Sequence, residues 1–158
     1  MKTRNLALTI IITATYLALG FVLQNVAFGS IQVRVADALY PLIAVLGIPC
    51  LVGTFLGHMI FNLYGFGVGL ALGSLDLLSP LIFLIPKYAI HKWKLKAVPL
   101  HVIFVALWVA YLLYSLFGIP YWVSVVTVGI GETIAEIVLG VPLSFAIKKH
   151  VSKDTVSS

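Results

Sequence analysis

The stretch ALYPLIAVLGIPCLVGTFLGHMIFNLY, residues 38–64, decides how this chain folds, because it is apolar almost throughout and longer than one membrane crossing requires. A helix that spans a bilayer needs about 20 apolar residues. The run is interrupted at Gly47-Ile48-Pro49, where proline removes a backbone N–H and glycine relaxes the backbone. It therefore predicts two consecutive helices that turn at this step. A helix over 38–47 is too short to cross completely.

The composition is that of a membrane protein. Hydrophobic residues make up 61% of the 158 residues and charged residues only 9%, whereas soluble domains carry roughly 25% charged residues. The single cysteine, Cys50, excludes an internal disulfide and disfavours a thiolate metal site. The net charge of +5 does not indicate a nucleic-acid partner, because the basic residues cluster beside the apolar runs.

The positions of the basic residues predict how often the chain crosses the membrane. The other apolar runs are 5–24, 70–86 and 97–147, and the last is broken by FGIPYW at 117–122. Nine of the ten Lys and Arg residues lie in three groups: Lys2 and Arg4; Lys87, Lys92, Lys94 and Lys96; Lys148, Lys149 and Lys153. The positive-inside rule places all three groups in the cytoplasm, which requires an even number of crossings between them. Residues 38–64 must then cross twice.

The predicted fold is therefore an all-α integral membrane protein. It is a six-helix transmembrane bundle with both termini cytoplasmic and with helices 2 and 3 short or re-entrant. We expect one domain over residues 1–150 and a short polar cytoplasmic tail over 151–158. The loops 25–37, 64–70 and 117–122 then face the outside of the cell membrane, and a site open to the exterior would lie beneath them.

Acidic residues within or beside the apolar runs are the first candidates for a site. They are Asp37, Asp76, Glu132 and Glu136. An ionisable group inside a bilayer is costly and is functional by default. Glu132 and Glu136 are spaced i, i+4, so they share one helix face, and their repulsion favours protonation of one or its binding to a donor. The structural alternatives are an Arg34–Asp37 pair at the interface and protonated carboxyls that bond neighbouring helices.

The other polar residues near the predicted outer face favour a flat, nitrogen-rich ligand. Gln24, Asn25, Gln32 and Asn62 add amides, Arg34 adds a guanidinium, and aromatic rings lie close by. A carboxylate accepts two parallel N–H bonds from a guanine-like edge, and an aromatic ring can stack on such a ligand. His58 and His101 are interpreted as residues that pack or bond the backbone rather than as metal ligands. Among these motifs there is neither a phosphate-binding loop nor a nucleophile constellation, so we expect no enzyme activity and no ATP hydrolysis by this chain.

The first apolar run carries a possible docking face. Ala14 and Ala18 form a small-xxx-small pair, which lets another helix approach closely. Packing within this chain's own bundle would give the same pattern.

Several segments resemble the QueT family. They are IQVRVADALYPL at 31–42, GTFLGHMIFN at 53–62, Asp76, and VGIGE at 128–132. The QueT proteins are substrate-binding (S) components of energy-coupling factor (ECF) transporters for queuosine precursors. The resemblance implies a six-helix S component that binds a 7-deazaguanine from outside, with 7-aminomethyl-7-deazaguanine as the first choice. It also implies a transmembrane coupling subunit that docks on Ala14 and Ala18, and two cytoplasmic ATPases that use ATP, with no cofactor in this chain.

The roles expected of the site residues follow from this ligand. Glu132, with Glu136 a turn deeper, binds the guanine-like edge, and Asp76 or Asp37 takes the aminomethyl cation. Asn62 and Gln32 orient the ring, and Arg34 pairs with Asp37 to hold the loop over the site. The alternatives are an S component for another vitamin-like ring and a stand-alone proton-coupled carrier. A membrane-embedded enzyme and a purely structural subunit are further alternatives, for which the residues offer less support.

Overall fold

The fold is known from a computed structural model, which describes residues 3–24, 33–64 and 73–156, and in the last range the side chains of residues 78–150. The described residues contain no strand and are almost entirely helical. The helices are α1 (Thr3–Val22), α2 (Val35–Leu46), α3 (Ile48–Tyr64), α4 (Gly73–Ile82), α5 (Leu84–Trp93), α6 (Val98–Phe117), α7 (Tyr121–Glu132) and α8 (Val141–Val156). A 3₁₀ turn, Lys94–Ala97, joins α5 to α6, and a π-helical stretch, Thr133–Gly140, joins α7 to α8.

The break within the stretch 38–64 occurs where the sequence predicts it. Gly47 separates α2 from α3 and has a φ of 71°, which glycine adopts without steric cost. Helix α2 begins earlier than expected, at Val35, as a 3₁₀ helix over Val35–Leu42. Asp37 is consequently a buried helical residue and not part of an outer loop, which corrects the assignment of residues 25–37.

Helices α1 and α3 run parallel and pack closely. The Thr9 hydroxyl donates to the Pro49 carbonyl at 3.2 Å, and the Thr13 hydroxyl donates to the Gly53 carbonyl at 3.1 Å, so the register advances equally along both helices. A Cβ atom at Gly53 would lie 2.8 Å from the Thr9 carbonyl oxygen. Glycine is therefore required for this approach, which is the small-residue packing that membrane helices favour.

The second half of the chain folds into helical hairpins. The Trp108 indole donates to the Ser79 hydroxyl at 2.7 Å, which shows that α6 returns alongside α4 after the Lys94–Ala97 turn. Helix α6 ends at Gly118, whose φ of 67° allows the left-handed cap, and α7 then packs back against α6. The predicted turn at 117–122 is therefore present. Helix α8 continues to Val156, into the segment expected to be a tail.

The basic ends of the helices lie together. Thr9 contacts Pro49, Gly47 lies beside His91, and one cavity is lined by Lys92, Lys148 and residues of α2. This agrees with the parity argument, which places these segments on one side. Three described stretches are long and apolar enough to cross a membrane: Thr3–Val22, Leu78–Phe117 (which contains the α5–α6 hairpin) and Tyr121–His150. Val35–Leu46 and Ile48–Tyr64 are shorter apolar helices, so six crossings and cytoplasmic termini remain predictions.

Lys87 does not belong to the basic flank in which the sequence placed it. Its side chain is completely buried, whereas Lys92, Lys94 and Lys96 are exposed. The Lys87 ammonium lies over the Tyr40 ring, 4.2 Å from its centroid. Lys87 and Lys92 lie on the same helix, but Lys87 points into the protein interior and Lys92 lies at the exposed end of α5.

Candidate functional site

Three acidic residues meet inside the bundle. Glu132 ends α7 and is 4% exposed, Glu136 lies on the π-helical stretch and is fully buried, and Asp37 on α2 is 1% exposed. Both glutamates interact electrostatically with Asp37. The sequence prediction that Glu132 and Glu136 face the same side is consistent with this burial. The prediction that Asp37 lies near them also agrees with the structure.

The π-helical stretch shapes this acidic cluster. The Val141 N–H donates to the Glu136 carbonyl, five residues earlier, as in a π-helix. The same stretch packs tightly on α2, since a Cβ atom at Gly140 would lie 2.6 Å from the Ala38 carbonyl oxygen. Short π-helical stretches are frequent at functional sites, and this one holds Glu136 against α2.

A chain of hydrogen bonds starts at Asp37 and links three helices. The Tyr16 hydroxyl donates to Asp37 Oδ1 at 2.6 Å and lies 3.0 Å from the Tyr40 hydroxyl. The Tyr40 hydroxyl is 2.9 Å from His58 Nδ1, and His58 Nε2 is 2.9 Å from Arg34 Nη1. Since one imidazole nitrogen of neutral histidine accepts and the other donates, and Arg34 can only donate, His58 Nε2 accepts and His58 Nδ1 donates to Tyr40 in the neutral ring.

Arg34 is engaged differently from the expected latch. Its guanidinium contacts His58 and lies 5.5 Å from the Phe61 ring centroid. Asp37 accepts the Tyr16 hydroxyl, and its backbone N–H donates to the Arg34 carbonyl at 2.9 Å. Arg34 and Asp37 are therefore neighbours whose side chains bind other groups, so the latch formed by their pairing is replaced by a wider network.

His101 and Lys87 complete the cluster from the second half of the chain. His101 Nδ1 is 2.7 Å from Glu136 Oε1, with both side chains fully buried. The His101 ring packs edge-on against Tyr40 at 4.7 Å between centroids, and Phe83 packs against both histidines. Lys87 interacts electrostatically with Asp37 and Glu136. Both histidines pack against aromatic rings as expected, but the hydrogen bonds seen among the described residues join them to side chains and not to the backbone. Within the described residues, no group of three or more His, Cys, Asp or Glu is placed to hold a metal ion.

Unpartnered polar atoms surround the same cluster. In the described part of the chain, Lys87 Nζ, His101 Nε2, Glu132 Oε2 and Glu136 Oε2 are buried and have no hydrogen-bond partner. An unpartnered buried polar group costs about 1–3 kcal/mol, so a group of them requires an explanation. These atoms offer both donors and acceptors, and the rings of Tyr40 and Phe83 lie beside them. The arrangement can bind a small molecule that carries polar edges and a flat ring.

The outer face of α1 carries the two alanines of the predicted docking pair. Ala14 and Ala18 are exposed, whereas Thr9, Ile12, Tyr16 and Gly20 of the same helix are buried. The small-residue pair therefore faces away from this chain's own bundle within the described residues. The exposure of the pair favours contact with another helix, and docking of a coupling subunit there stays a prediction.

Comparison with known protein families gives a match over almost the whole chain. Residues 6–149 match the family described as QueT transporter. The chain belongs to the QueT transporter family. It is thus a membrane transport protein with the S-component role that this family implies, and the family is not one of enzymes. Searches of the curated proteins and of the solved structures found no match.

For this QueT family member, the structure locates most of the residues that the sequence selected. Arg34, Asp37, Glu132 and Glu136 come together, and Asn62 is buried on α3 one turn beyond His58. Gln32 lies outside the described residues. Asp76 is within α4, but its side chain lies outside what the structure describes.

Sequence reasoning missed Tyr16, Tyr40, Lys87 and the pairing of His101 with Glu136. One signal could have indicated Tyr16: membrane tyrosines prefer the two interfaces, whereas Tyr16 lies in the second half of an apolar run, away from Trp. Tyr40 lies near the start of its run, where an interfacial tyrosine is expected, so no such signal marks it. No comparable signal in the sequence indicates that Lys87 is buried, because only the packing of α5 shows which of its faces points inward.

Proposed function

We propose that this QueT family member is the substrate-binding component of an ECF-type importer and takes up a 7-deazaguanine from outside the cell. The observation that supports this function best is the group of unpartnered polar atoms on Glu132, Glu136, Lys87 and His101, beside the ring of Tyr40. A 7-deazaguanine has an edge that donates two N–H bonds, a ring carbonyl that accepts, and a flat face. These features complement the carboxylates, the donors and the aromatic ring.

Each acidic residue has a role in this proposal. Glu132 accepts the two N–H groups of the guanine-like edge, because a carboxylate binds such parallel donors in a bidentate manner. Asp37 takes the aminomethyl cation of 7-aminomethyl-7-deazaguanine, with Asp76 as the alternative. Glu136 is held by His101 and supports the charge of the site from below Glu132.

A buried donor is available for the ring carbonyl of the ligand. Lys87 Nζ is buried and unpartnered within the described residues, so it can donate to a ring carbonyl. His101 Nε2 is an acceptor in the neutral ring, because His101 Nδ1 donates to Glu136. Arg34 positions His58 and thereby Tyr40. Asn62, buried beside His58 on α3, orients the ring, and Gln32 is proposed for the same task from the sequence alone.

The importer needs partners that this chain does not contain. A transmembrane coupling subunit would dock on the exposed Ala14 and Ala18, and two cytoplasmic ATPases would supply the energy from ATP. The site would face the outside of the cell membrane, opposite the basic ends of the helices. No cofactor is proposed for this chain.

A stand-alone proton-coupled carrier is the second candidate, because the hydrogen-bonded chain from Asp37 through Tyr16 and Tyr40 to His58 could relay protons. Reconstitution of this chain alone in proteoliposomes with a proton gradient separates the two. Uptake without ATPase partners would favour the carrier, whereas uptake only with the coupling subunit and both ATPases would favour the importer.

The ligand itself is tested by mass spectrometry of small molecules released from the purified protein, followed by titration calorimetry with 7-aminomethyl-7-deazaguanine and guanine. The expected result is a released 7-deazaguanine and preferential binding of it over guanine. Release of a different ring compound would keep the S-component role and refute this ligand class. The absence of binding to both compounds would argue against the acidic cluster as a purine-like site.

Glu132→Gln is expected to weaken binding of the deazaguanine by about 10- to 100-fold, since a charge-assisted pair of bonds is replaced by one acceptor and one donor. Titration calorimetry measures the change. Thr133→Val is the matched control, because Thr133 is the next residue, is exposed, and bonds only its own helix at Gly129. Equal affinity of Glu132→Gln and Thr133→Val would remove Glu132 from the site.

A further inference from the structure

A cavity lies at the basic ends of the helices, lined by residues of α2, α5, α6 and α8 and of the turn between α5 and α6. It has a volume of about 1030 Å³. Its polar lining consists mainly of the four lysines Lys92, Lys94, Lys96 and Lys148, and its aromatic lining of Trp93 and Phe145. We refer to it as the lysine cavity. This volume lies at the upper end of the usual size range of a small-molecule pocket, about 300–1,000 Å³.

The charge of the lysine cavity excludes the ligand of the acidic cluster. Its lining residues in the described part of the chain include four lysines and no acid. A cationic aminomethyl group would be repelled there, whereas an anion would be attracted by lysines from two separate segments, the α5–α6 connection and α8. The lysine cavity therefore fits an anionic occupant.

The other lining residues are apolar. Ala44 and Val45 of α2, Leu95 of the α5–α6 turn and Leu100 of α6 line the lysine cavity. Phe145 of α8 is a large exposed apolar side chain of the same lining. A free anion would gain nothing from these surfaces. A molecule with an anionic head and apolar chains would contact both kinds of lining, as anionic lipids do in basic pockets between membrane helices.

The position of the lysine cavity is that of a membrane interface. It lies where α5 and α6 turn, and Trp93 in its wall is 56% exposed, as is typical of tryptophans at the level of lipid headgroups. Lys94 has a φ of 60° and a ψ of −151°, a backbone conformation that is essentially restricted to glycine. The chain therefore has a lysine, exposed and lining the cavity, where glycine would be less strained.

From these observations we propose that the lysine cavity binds an anionic phospholipid, such as phosphatidylglycerol, with the phosphate among the four lysines and the acyl chains along the apolar wall. This proposal is independent of the ligand of the acidic cluster. A helix of another protein is the competing occupant, and the experiment distinguishes it.

Trp93 provides a direct measurement of lipid at this site. The protein has three tryptophans, so Trp108→Phe with Trp122→Phe leaves Trp93 as the only one. In nanodiscs or vesicles, brominated phosphatidylglycerol is expected to quench Trp93 fluorescence more strongly than brominated phosphatidylcholine at the same mole fraction. The control, Trp93→Phe with Trp108→Phe, retains Trp122 next to the turn at the opposite end, where we expect no preference between the two lipids.

Charge variants in the Trp93-only background test whether the lysines carry the preference. Lys92→Gln with Lys148→Gln removes two lining charges and is expected to weaken the preference for phosphatidylglycerol by about 30-fold, given the contribution of each basic residue near an anionic lipid. The matched control is Arg4→Gln with Lys149→Gln, which removes the same charge from exposed residues that do not line the lysine cavity. The control should retain most of the preference.

Three results would overturn the proposal. They are equal quenching by the two lipids at Trp93, an equal loss in the two double variants, and protection of Trp93 from both lipids by a protein partner that copurifies. If Trp108→Phe prevents folding, native mass spectrometry of the wild-type protein and of the two charge variants gives the same comparison. There, retained phosphatidylglycerol adducts that are lost only in Lys92→Gln with Lys148→Gln support the proposal, and equal adducts in all three refute it.

Discussion

At the scale of the residue, the buried position of Lys87 is the one that the sequence predicts least well. Its ammonium is buried over the Tyr40 ring and interacts electrostatically with Asp37 and Glu136. A buried cation is tolerated only where acidic groups and an aromatic face compensate for its lost hydration. Lys87 therefore balances the acidic cluster, and its loss would leave the acidic groups without that cation.

Lys87→Met is expected to lower the free energy of unfolding by about 3 kcal/mol, because it removes one partner from a buried group of charges while nearly preserving volume. Thermal and chemical unfolding in detergent measure this effect. Lys92→Met is the matched control, since Lys92 lies on the same helix and is exposed. If the two variants unfold alike, Lys87 does not compensate the acids.

At the scale of the element, the parallel contact of α1 and α3 depends on glycines. Gly53 lies against Ile12 and the Thr9 carbonyl, and Gly57 lies against Tyr16, where an added Cβ would be 2.7 Å from the Tyr16 Cβ. Gly20 makes the reciprocal contact from α1, against the Phe61 ring. Any separation or sliding of the two helices would therefore break the hydrogen bonds of Thr9 and Thr13 to α3.

Gly53→Ala is expected to destabilise the fold by about 1–3 kcal/mol, because the new methyl group would meet a backbone carbonyl that cannot rotate away. Gly129→Ala is the control, since its Cβ would lie 3.6 Å from the Ala106 Cβ, an ordinary contact. Melting temperatures in detergent compare the two. A similar destabilisation by Gly129→Ala would mean that helix packing near Gly53 is not the cause.

Ala14→Leu with Ala18→Leu is expected to leave the melting temperature and ligand affinity nearly unchanged and to abolish copurification with the coupling subunit, because the bulky side chains prevent close approach of another helix. Thr15→Leu is the control: it also adds bulk to an exposed position of α1, but beside the small-residue pair. Loss of copurification in both variants would indicate a general effect of bulk on α1.

At the scale of the whole molecule, the features that repeat along the chain were predictable and those that depend on packing were not. The Gly47 break, the 117–122 turn and the inward face of Glu132 and Glu136 follow from apolar runs, helix breakers and helical spacing. The start of α2 at Val35 is hidden by Arg34 and Asp37, which resemble a polar loop until their partners are known. The Tyr16–Asp37 and His101–Glu136 contacts join residues far apart in sequence, so no local pattern records them.

The sidedness of the molecule can be tested with single cysteines in a Cys50→Ala background. Arg4→Cys, Lys94→Cys and Lys149→Cys should react with a membrane-impermeant maleimide only after the cells are permeabilised, because the positive-inside rule puts the basic ends in the cytoplasm. Ile119→Cys, at the turn between α6 and α7, should react on intact cells. Labelling of Lys94→Cys but not Arg4→Cys on intact cells would contradict an even number of crossings between them.

Helix α1 connects the acidic cluster to the outer surface of the bundle. Tyr16 faces inward and donates to Asp37, while Ala14 and Ala18, two residues away on either side, face outward. A ligand that takes over Asp37 must compete with the Tyr16 hydroxyl, and Tyr16 cannot shift alone because its ring abuts Gly57. A displacement of Tyr16 would therefore act on both of the packed helices, α1 and α3. A neighbour resting on the alanines would thus sense a full or an empty binding site without touching the ligand.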